Sequence, residues 1–168
     1  MLRWILDRWP LAAAAASAGM LAAAHAFETF GGLAPCTLCL KQREVYWVAM
    51  AIGIAGVVLS RLVRPRRVRS IVCALLALVF FYGAGLAAYH AGVEWKWWPG
   101  PDACSGSSAA ASADAMADLL KGGPIQAPRC DEAAWVFAGL SMAGWNALVS
   151  LALAAASAVA ALRGRSRD

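Results

Sequence analysis

Ile71-Val72-Cys73-Ala74-Leu75-Leu76-Ala77-Leu78-Val79-Phe80-Phe81 contains no charged residue and is rich in side chains that partition strongly into lipid. Continued to Tyr89, the stretch 71–89 reaches the roughly 20 residues a helix needs to cross a bilayer core. Three further stretches of similar length flank it, at 10–27, 45–63 and 143–162, of which the first is mostly alanine. With 168 residues, 61% of them hydrophobic and 15% charged, and a mean hydropathy of +0.60, the chain is too apolar for a soluble domain. The sequence therefore predicts an all-α membrane protein: a four-helix transmembrane bundle in a single domain over 1–168, with two outer connections at about 28–44 and 91–142.

Charge orients the spans. Arg3 and Arg8 precede the first, Arg61, Arg64, Arg66, Arg67 and Arg69 join the second to the third, and Arg163, Arg165 and Arg167 follow the fourth. By the positive-inside rule these ten face the cytoplasm, which places both termini there. The other five basic residues, Lys41, Arg43, Lys96, Lys121 and Arg129, are spread over connections that hold eight of the ten acidic residues. The net charge of +5 thus follows from topology, and the basic run 61–69 is not read as a nucleic-acid patch.

Between the first two spans stands Pro35-Cys36-Thr37-Leu38-Cys39-Leu40-Lys41-Gln42-Arg43. A helix beginning near Thr37 puts Cys36, Cys39 and Arg43 at i, i+3 and i+7, on one face. Backbone N–H groups at a helix N-terminus and a guanidinium one turn further on both favour the thiolate, the species that attacks disulfides or reduces an acceptor. Half a zinc site is the competing reading, but the chain offers no second C-x-x-C or paired histidines to complete it. Covalent haem would need histidine where Leu40 stands. Arg3 and Arg8 ahead of an apolar run, with Ala24-His25-Ala26 as a small-x-small site, also fit a secretory signal. Cleavage would leave three helices where the redox pair needs a closed, water-poor bundle, so the stretch is read as the first span.

Cys104 and Cys130 fall in the second outer connection, and Cys73 alone lies within the membrane, as a small packing residue. Four cysteines on the oxidising side is the partition expected for two disulfides. A bridge from Cys104 to Cys130 would close a loop rich in breakers, Pro99-Gly100-Pro101, Ser105-Gly106-Ser107-Ser108 and Gly122-Gly123-Pro124. On a flexible segment it would be labile enough to exchange; the alternative is a bridge that only tethers the loop. This connection is expected to be a mobile loop, with Met116-Ala117-Asp118-Leu119-Leu120 as a short helix on the membrane surface. Of Trp47, Trp95, Trp97, Trp98, Trp135 and Trp145, most are interface anchors on this reading. His25 sits at the headgroups, His90 either donates a hydrogen bond to a carbonyl acceptor or does the same, and Asn146 bonds between helices.

Taken in order, Pro35-Cys36-x-x-Cys39 with Arg43, Tyr89-His90-Ala91-Gly92-Val93-Glu94 leading through Trp98-Pro99-Gly100-Pro101 to Cys104, and Cys130 with Trp135 and Gly139-Leu140-Ser141-Met142-Ala143-Gly144-Trp145-Asn146 resemble the DsbB disulfide bond formation proteins over nearly the whole chain. The resemblance implies a multi-pass protein of the bacterial inner membrane that reoxidises a periplasmic DsbA-like thioredoxin-fold protein and passes the electrons to a membrane quinone, ubiquinone or menaquinone, without a metal. Cys104 would form the mixed disulfide with the partner, with Cys130 as its loop mate. Cys36 and Cys39 would reoxidise that pair, and Cys39 would hand the electrons to a quinone beside Arg43, with His90 near it. Cys73 and the featureless stretch 105–115 depart from the family pattern. If the partner's couple lies near about −120 mV, a glutathione pool near about −180 mV would face roughly 2.8 kcal/mol uphill, so a stronger oxidant such as a quinone is needed. Nothing in the chain resembles a flavin or dinucleotide fingerprint. Relatives of vitamin K epoxide reductase are the nearest alternative, but there the loop cysteines precede the C-x-x-C. A membrane protein binding metal through the four outer cysteines is the other.

Overall fold

A computed structural model describes Leu6 and residues 8–62, 65–101 and 129–165 of the chain. Among them, four helices carry the architecture: α1 (Trp9–Thr29), α2 (Thr37–Leu62), α3 (Pro65–Glu94) and α4 (Met142–Arg165). Each is long and apolar enough to cross a bilayer. Pro10 stands in the first turn of α1, where its missing N–H costs no helical bond. Two of the helices outrun their apolar cores. α2 begins eight residues before the expected span at 45, because Lys41, Arg43 and Glu44 lower hydropathy without opposing helix. α3 continues past Tyr89 to Glu94 and stops where Lys96 turns left-handed, φ 62°. There the Trp97 N–H returns to the Gly92 carbonyl at 2.9 Å and the Lys96 N–H to Val93 at 3.0 Å, closing the helix end.

Neighbours in sequence are neighbours in space: α1 packs on α2, α2 on α3, and α3 along α4, while α1 meets α4 lightly. Lipid offers no hydrophobic drive to bring such helices together, so close van der Waals packing of small residues must do it. A Cβ on Gly53 would lie 2.6 Å from the Pro10 carbonyl oxygen, and one on Gly56 would lie 2.5 Å from Val72 Cγ1. The alanines of α1 serve the same close approach, with Ala13 fully buried against the core that holds Ala49, Leu76 and Phe80. Cys73 is buried in that core as a packing residue, as expected. Leu78, Phe81 and Tyr82 of α3 point outward, onto the face lipid would cover. Trp9 is not exposed but bonds across the bundle, its indole N–H reaching Ser157 Oγ at 2.8 Å.

The outer connection expected over 91–142 is shortened from both ends. α3 takes its first residues, and before α4 Val136–Phe137 pairs antiparallel with Leu140–Ser141. Ala138 and Gly139, φ 50° and 79°, turn this small hairpin in the double left-handed conformation that matches strand twist. Cys104 and the short helix expected at 116–120 lie outside the described residues.

Gly53→Leu and Gly56→Leu should each destabilise the bundle by about 1–3 kcal/mol through overpacking, whereas Gly19→Leu, on an open face of α1, should be neutral. Reversible unfolding in mixed micelles measures this. Equal stability of all three variants would show that the helices do not rely on these close approaches.

Candidate active site

Cys36 is the last residue before α2, and it caps the helix. Its carbonyl accepts the first helical bond, from Leu40 N–H at 3.0 Å, and its sulfur accepts the Cys39 N–H at 3.3 Å, the task a serine or aspartate oxygen usually performs. The Cys36 thiol in turn donates to Cys39 Sγ, 3.0 Å away. The expected C-x-x-C disulfide is thus present here as two free thiols in contact. The bond to Cys39, then burial, push the Cys36 thiol well above its ordinary value, so Cys36 holds the proton and Cys39 accepts the hydrogen bond it makes. Arg43 shares their side of the helix, as the i, i+3, i+7 spacing predicts, and all three line one pocket.

His90 approaches from α3. Its Nε2 lies 3.6 Å from Cys36 Sγ and 3.8 Å from Glu94 Oε1, one turn further along the same helix. The ring is buried between the helices. His25, by contrast, is largely exposed, 3.8 Å from Glu28. On the far side of the His90 ring, Gln42 Nε2 meets Nδ1 at 2.8 Å and also reaches the Leu38 carbonyl at 3.2 Å. Gln42 Oε1 accepts from Asn146 of α4, whose own oxygen accepts from Tyr46, and Tyr46 contacts Ser150 at 2.9 Å. Asn146 is therefore the interhelical bonding residue the sequence suggested.

Arg43 is not free to face the thiols alone. Its Nη1 is 2.6 Å from Glu28 Oε2 and its Nη2 donates to the Ala24 carbonyl at 3.3 Å, which ties α2 to the end of α1. Beside these groups opens a pocket of about 410 Å³, walled by Leu21, Phe27, Trp135 and Met142 and lined on its polar side by Cys39, Gln42, Arg43, His90 and Glu94. Trp135, expected as an anchor at the start of α4, lies before the hairpin and packs between Phe27 and Phe137, with ring centroids at 5.4 and 5.7 Å.

Cys130 completes the cluster. It is fully buried and disulfide-bonded, and its sulfur, the Cys36 sulfur and a ring nitrogen of His90 all lie within 4.8 Å of one another. The Thr37 hydroxyl donates to Cys130 Sγ at 3.5 Å. The segment is pinned by charge: Lys96 Nζ reaches Asp131 at 2.6 Å, and Arg129 reaches Asp131 at 3.0 Å and Glu132 at 3.1 Å. Of the residues expected from sequence, Cys36, Cys39, Cys130, Arg43 and His90 converge, while Cys104 lies outside the described residues. Sequence reasoning missed Gln42, Glu94, Tyr46 and Glu28. The i+4 spacing of Glu94 from His90 was the available signal, hidden because the span was ended at Tyr89.

A buried dithiol at the start of a membrane helix, a bonded third cysteine within reach of it and an apolar pocket alongside define a membrane thiol oxidoreductase. The family model described as disulfide bond formation protein DsbB matches residues 7–160. Disulfide bond formation protein B 2 of Pseudomonas entomophila (strain L48) is 31% identical over 149 residues, covering 86% of this chain and 84% of that protein. Disulfide bond formation protein B of Nitrosomonas europaea is 26% identical over 174 residues, covering 90% and 88%, and that of Nitrosospira multiformis 29% over 146 residues, covering 83% and 82%. The chain belongs to the DsbB family and is a disulfide-generating membrane protein. No solved structure matches it.

The Arg129 hydrogen bond, then that of Lys96, hold the Asp131 carboxyl well below the usual carboxylate range. Because the folded value is depressed, the clamp's contribution is complete above the unfolded value near about 3.9 and is lost as pH falls through the lower folded value. Asp131→Asn should loosen the segment over Cys36 and speed alkylation of Cys36 several-fold at pH 7. The ratio of variant to wild-type rates should hold steady from about pH 8 to about pH 5 and fall towards one only below about pH 4. A ratio of one at neutral pH would show that these ion pairs do not shield the thiol.

Proposed function

We propose that this protein is a protein-dithiol:quinone oxidoreductase of the bacterial inner membrane, which takes two electrons from a reduced DsbA-like thioredoxin-fold protein and delivers them to ubiquinone or menaquinone. The observation that carries this reading is the position of Cys36, whose sulfur is within 4.8 Å of the Cys130 sulfur on one side and in contact with Cys39 at the pocket on the other. That is the arrangement a chain of thiol–disulfide exchanges requires, since each step needs one sulfur to attack the next.

On this reading the loop pair is Cys104–Cys130. The partner's thiolate attacks Cys104, forming a mixed disulfide and releasing Cys130, and the partner's second thiol then resolves that bond, leaving the loop pair reduced. Cys130 attacks Cys36 when Cys36 is bonded to Cys39, so the Cys36–Cys39 bond breaks and Cys39 leaves as a thiolate. Cys104 attacks Cys130 in turn, which restores the loop disulfide and leaves Cys36 and Cys39 as the reduced pair, the state described above. The pocket suits a quinone ring by size and character, since small-molecule sites span about 300–1,000 Å³ with apolar walls and few polar groups. Arg43 is the residue that would hold a quinone oxygen, with Glu28 keeping its guanidinium in place, and His90 borders the same pocket beside the Cys36 sulfur. A bound quinone would supply the sink for two electrons and two protons. The helix start, with the Cys39 N–H on Cys36 Sγ, keeps the two sulfurs in bonding reach while walls of apolar side chains exclude water.

The orientation expected from charge is supported by the helices, which carry Arg61, Arg67, Arg69 and Arg163 at the ends opposite the thiol cluster. The clustering of Cys36, His90 and Cys130 also invites a metal-binding reading. The disulfide at Cys130 weighs against it, because zinc takes the thiolate and not a bonded sulfur.

Cys104→Ser should abolish oxidation of the partner, and Cys130→Ser mixed with the oxidised partner should accumulate a mixed disulfide, formed as the Cys104 thiolate attacks the partner's disulfide and retained because the loop mate that would displace the partner is missing. Non-reducing gels with single-cysteine variants check this. A complex trapped through Cys36 instead would overturn the order of the relay.

A further inference from the structure

Glu94 carries hydrogen-bonding capacity that nothing in the described residues uses. Its side chain is only 6% exposed, yet Oε2 is buried without a partner. Its carboxyl takes a hydrogen bond from Ser141, its Oε1 stands 3.8 Å from His90 Nε2, and it lines the same pocket as Cys36 and Cys39. A buried carboxyl oxygen left unpaired is costly, so its persistence at a redox site points to a task.

The hydrogen bonds of Gln42 decide what that task is. Gln42 Nε2 faces the Leu38 carbonyl at 3.2 Å and His90 Nδ1 at 2.8 Å. A carbonyl can only accept, so the atom between them is the amide nitrogen, and Nδ1 opposite it is the bare nitrogen of the ring. The ring proton is then on Nε2, the nitrogen turned towards Cys36 and Glu94. In this tautomer His90 can donate to the Cys36 sulfur as negative charge develops there, but it cannot take the proton that leaves it. The base has to be another group.

We propose that Glu94 is the proton acceptor for the Cys36–Cys39 dithiol during its reoxidation, with His90 as the positioning donor that holds the Cys36 sulfur. The proposal rests on the quinone-linked reading above. Forming the Cys36–Cys39 bond breaks two S–H bonds and releases two electrons and two protons. Both electrons go to the quinone, which consumes two protons in being reduced. Glu94 takes the two protons from the sulfurs one after the other across the shared pocket, gives each up on the quinone side before taking the next, and is left as it began.

Two measurements test this. The infrared difference spectrum between protein reduced and oxidised at Cys36–Cys39, recorded without quinone, should contain a carboxyl C=O band that shifts in deuterated water and vanishes in Glu94→Gln. In turnover, Glu94→Gln should slow quinone reduction by about a hundredfold, the usual scale for losing a general base, while His90→Gln, which keeps a donor, should cost less than tenfold. An oxidation difference spectrum with no carboxyl band in the wild-type protein, or the reverse ranking of the two variants, would overturn the role of Glu94. Wild-type protein that reduces no quinone would sink the functional reading instead, and the infrared band would still decide whether Glu94 exchanges a proton with the dithiol.

Discussion

Gln42 has one side-chain amide and joins three helices with it. It donates to Leu38 on its own helix and to His90 on α3, and accepts from Asn146 on α4. Inside a bilayer no water stands by to satisfy such groups, so each buried polar atom must find its partner within the protein or cost about 1–3 kcal/mol. That requirement sets the ring of His90 in one orientation and one tautomer, and through His90 it sets what faces the Cys36 sulfur. The same chain continues through Tyr46 to Ser150, so the polar groups beside the thiols form one connected set that reaches into the bundle.

Around that set the fold solves two problems with separate means. Small residues bring the helices close enough for the polar chain to span them, as at Gly53 against Pro10 and Gly56 against Val72. The start of α2 then supplies reactivity, because a cysteine at the cap position has its sulfur against the first free N–H groups, where negative charge is favoured. Cys36 keeps a proton it shares with Cys39, and the bonded Cys130 sits over both, tied down by Lys96 and Arg129 through Asp131. The thiol cluster thus occupies an apolar corner of the bundle in which Arg43 is paired with Glu28 and Asp131 with Lys96.

Much of this was legible beforehand. Hydropathy located the spans, and the spacing of Cys36, Cys39 and Arg43 placed them on one face because helical periodicity is a local property. What escaped was non-local or masked by charge. Glu94 looked like loop because hydropathy falls after Tyr89, although the helix and its i+4 relation to His90 continue. Gln42 looked like a polar residue between two charges, and only the arrival of α3 and α4 gives its amide a purpose. Glu28 lies 15 residues from Arg43, a separation at which no periodicity links them. The hairpin at 136–141 was hidden in a long connection, because Ala138-Gly139 is not a pair that marks a two-residue turn and only Gly139 takes a positive φ readily.

Electron transfer out of the protein turns, on this reading, on one pair of sulfurs facing the pocket. A variant with Cys104→Ser and Cys130→Ser, fully reduced and mixed anaerobically with a soluble quinone, isolates that pair from the loop. Each quinone reduced should remove two thiols, both should map to Cys36 and Cys39, and Cys73 should stay free. Quinone left unreduced, or reduced without loss of the Cys36 and Cys39 thiols, would contradict this reading.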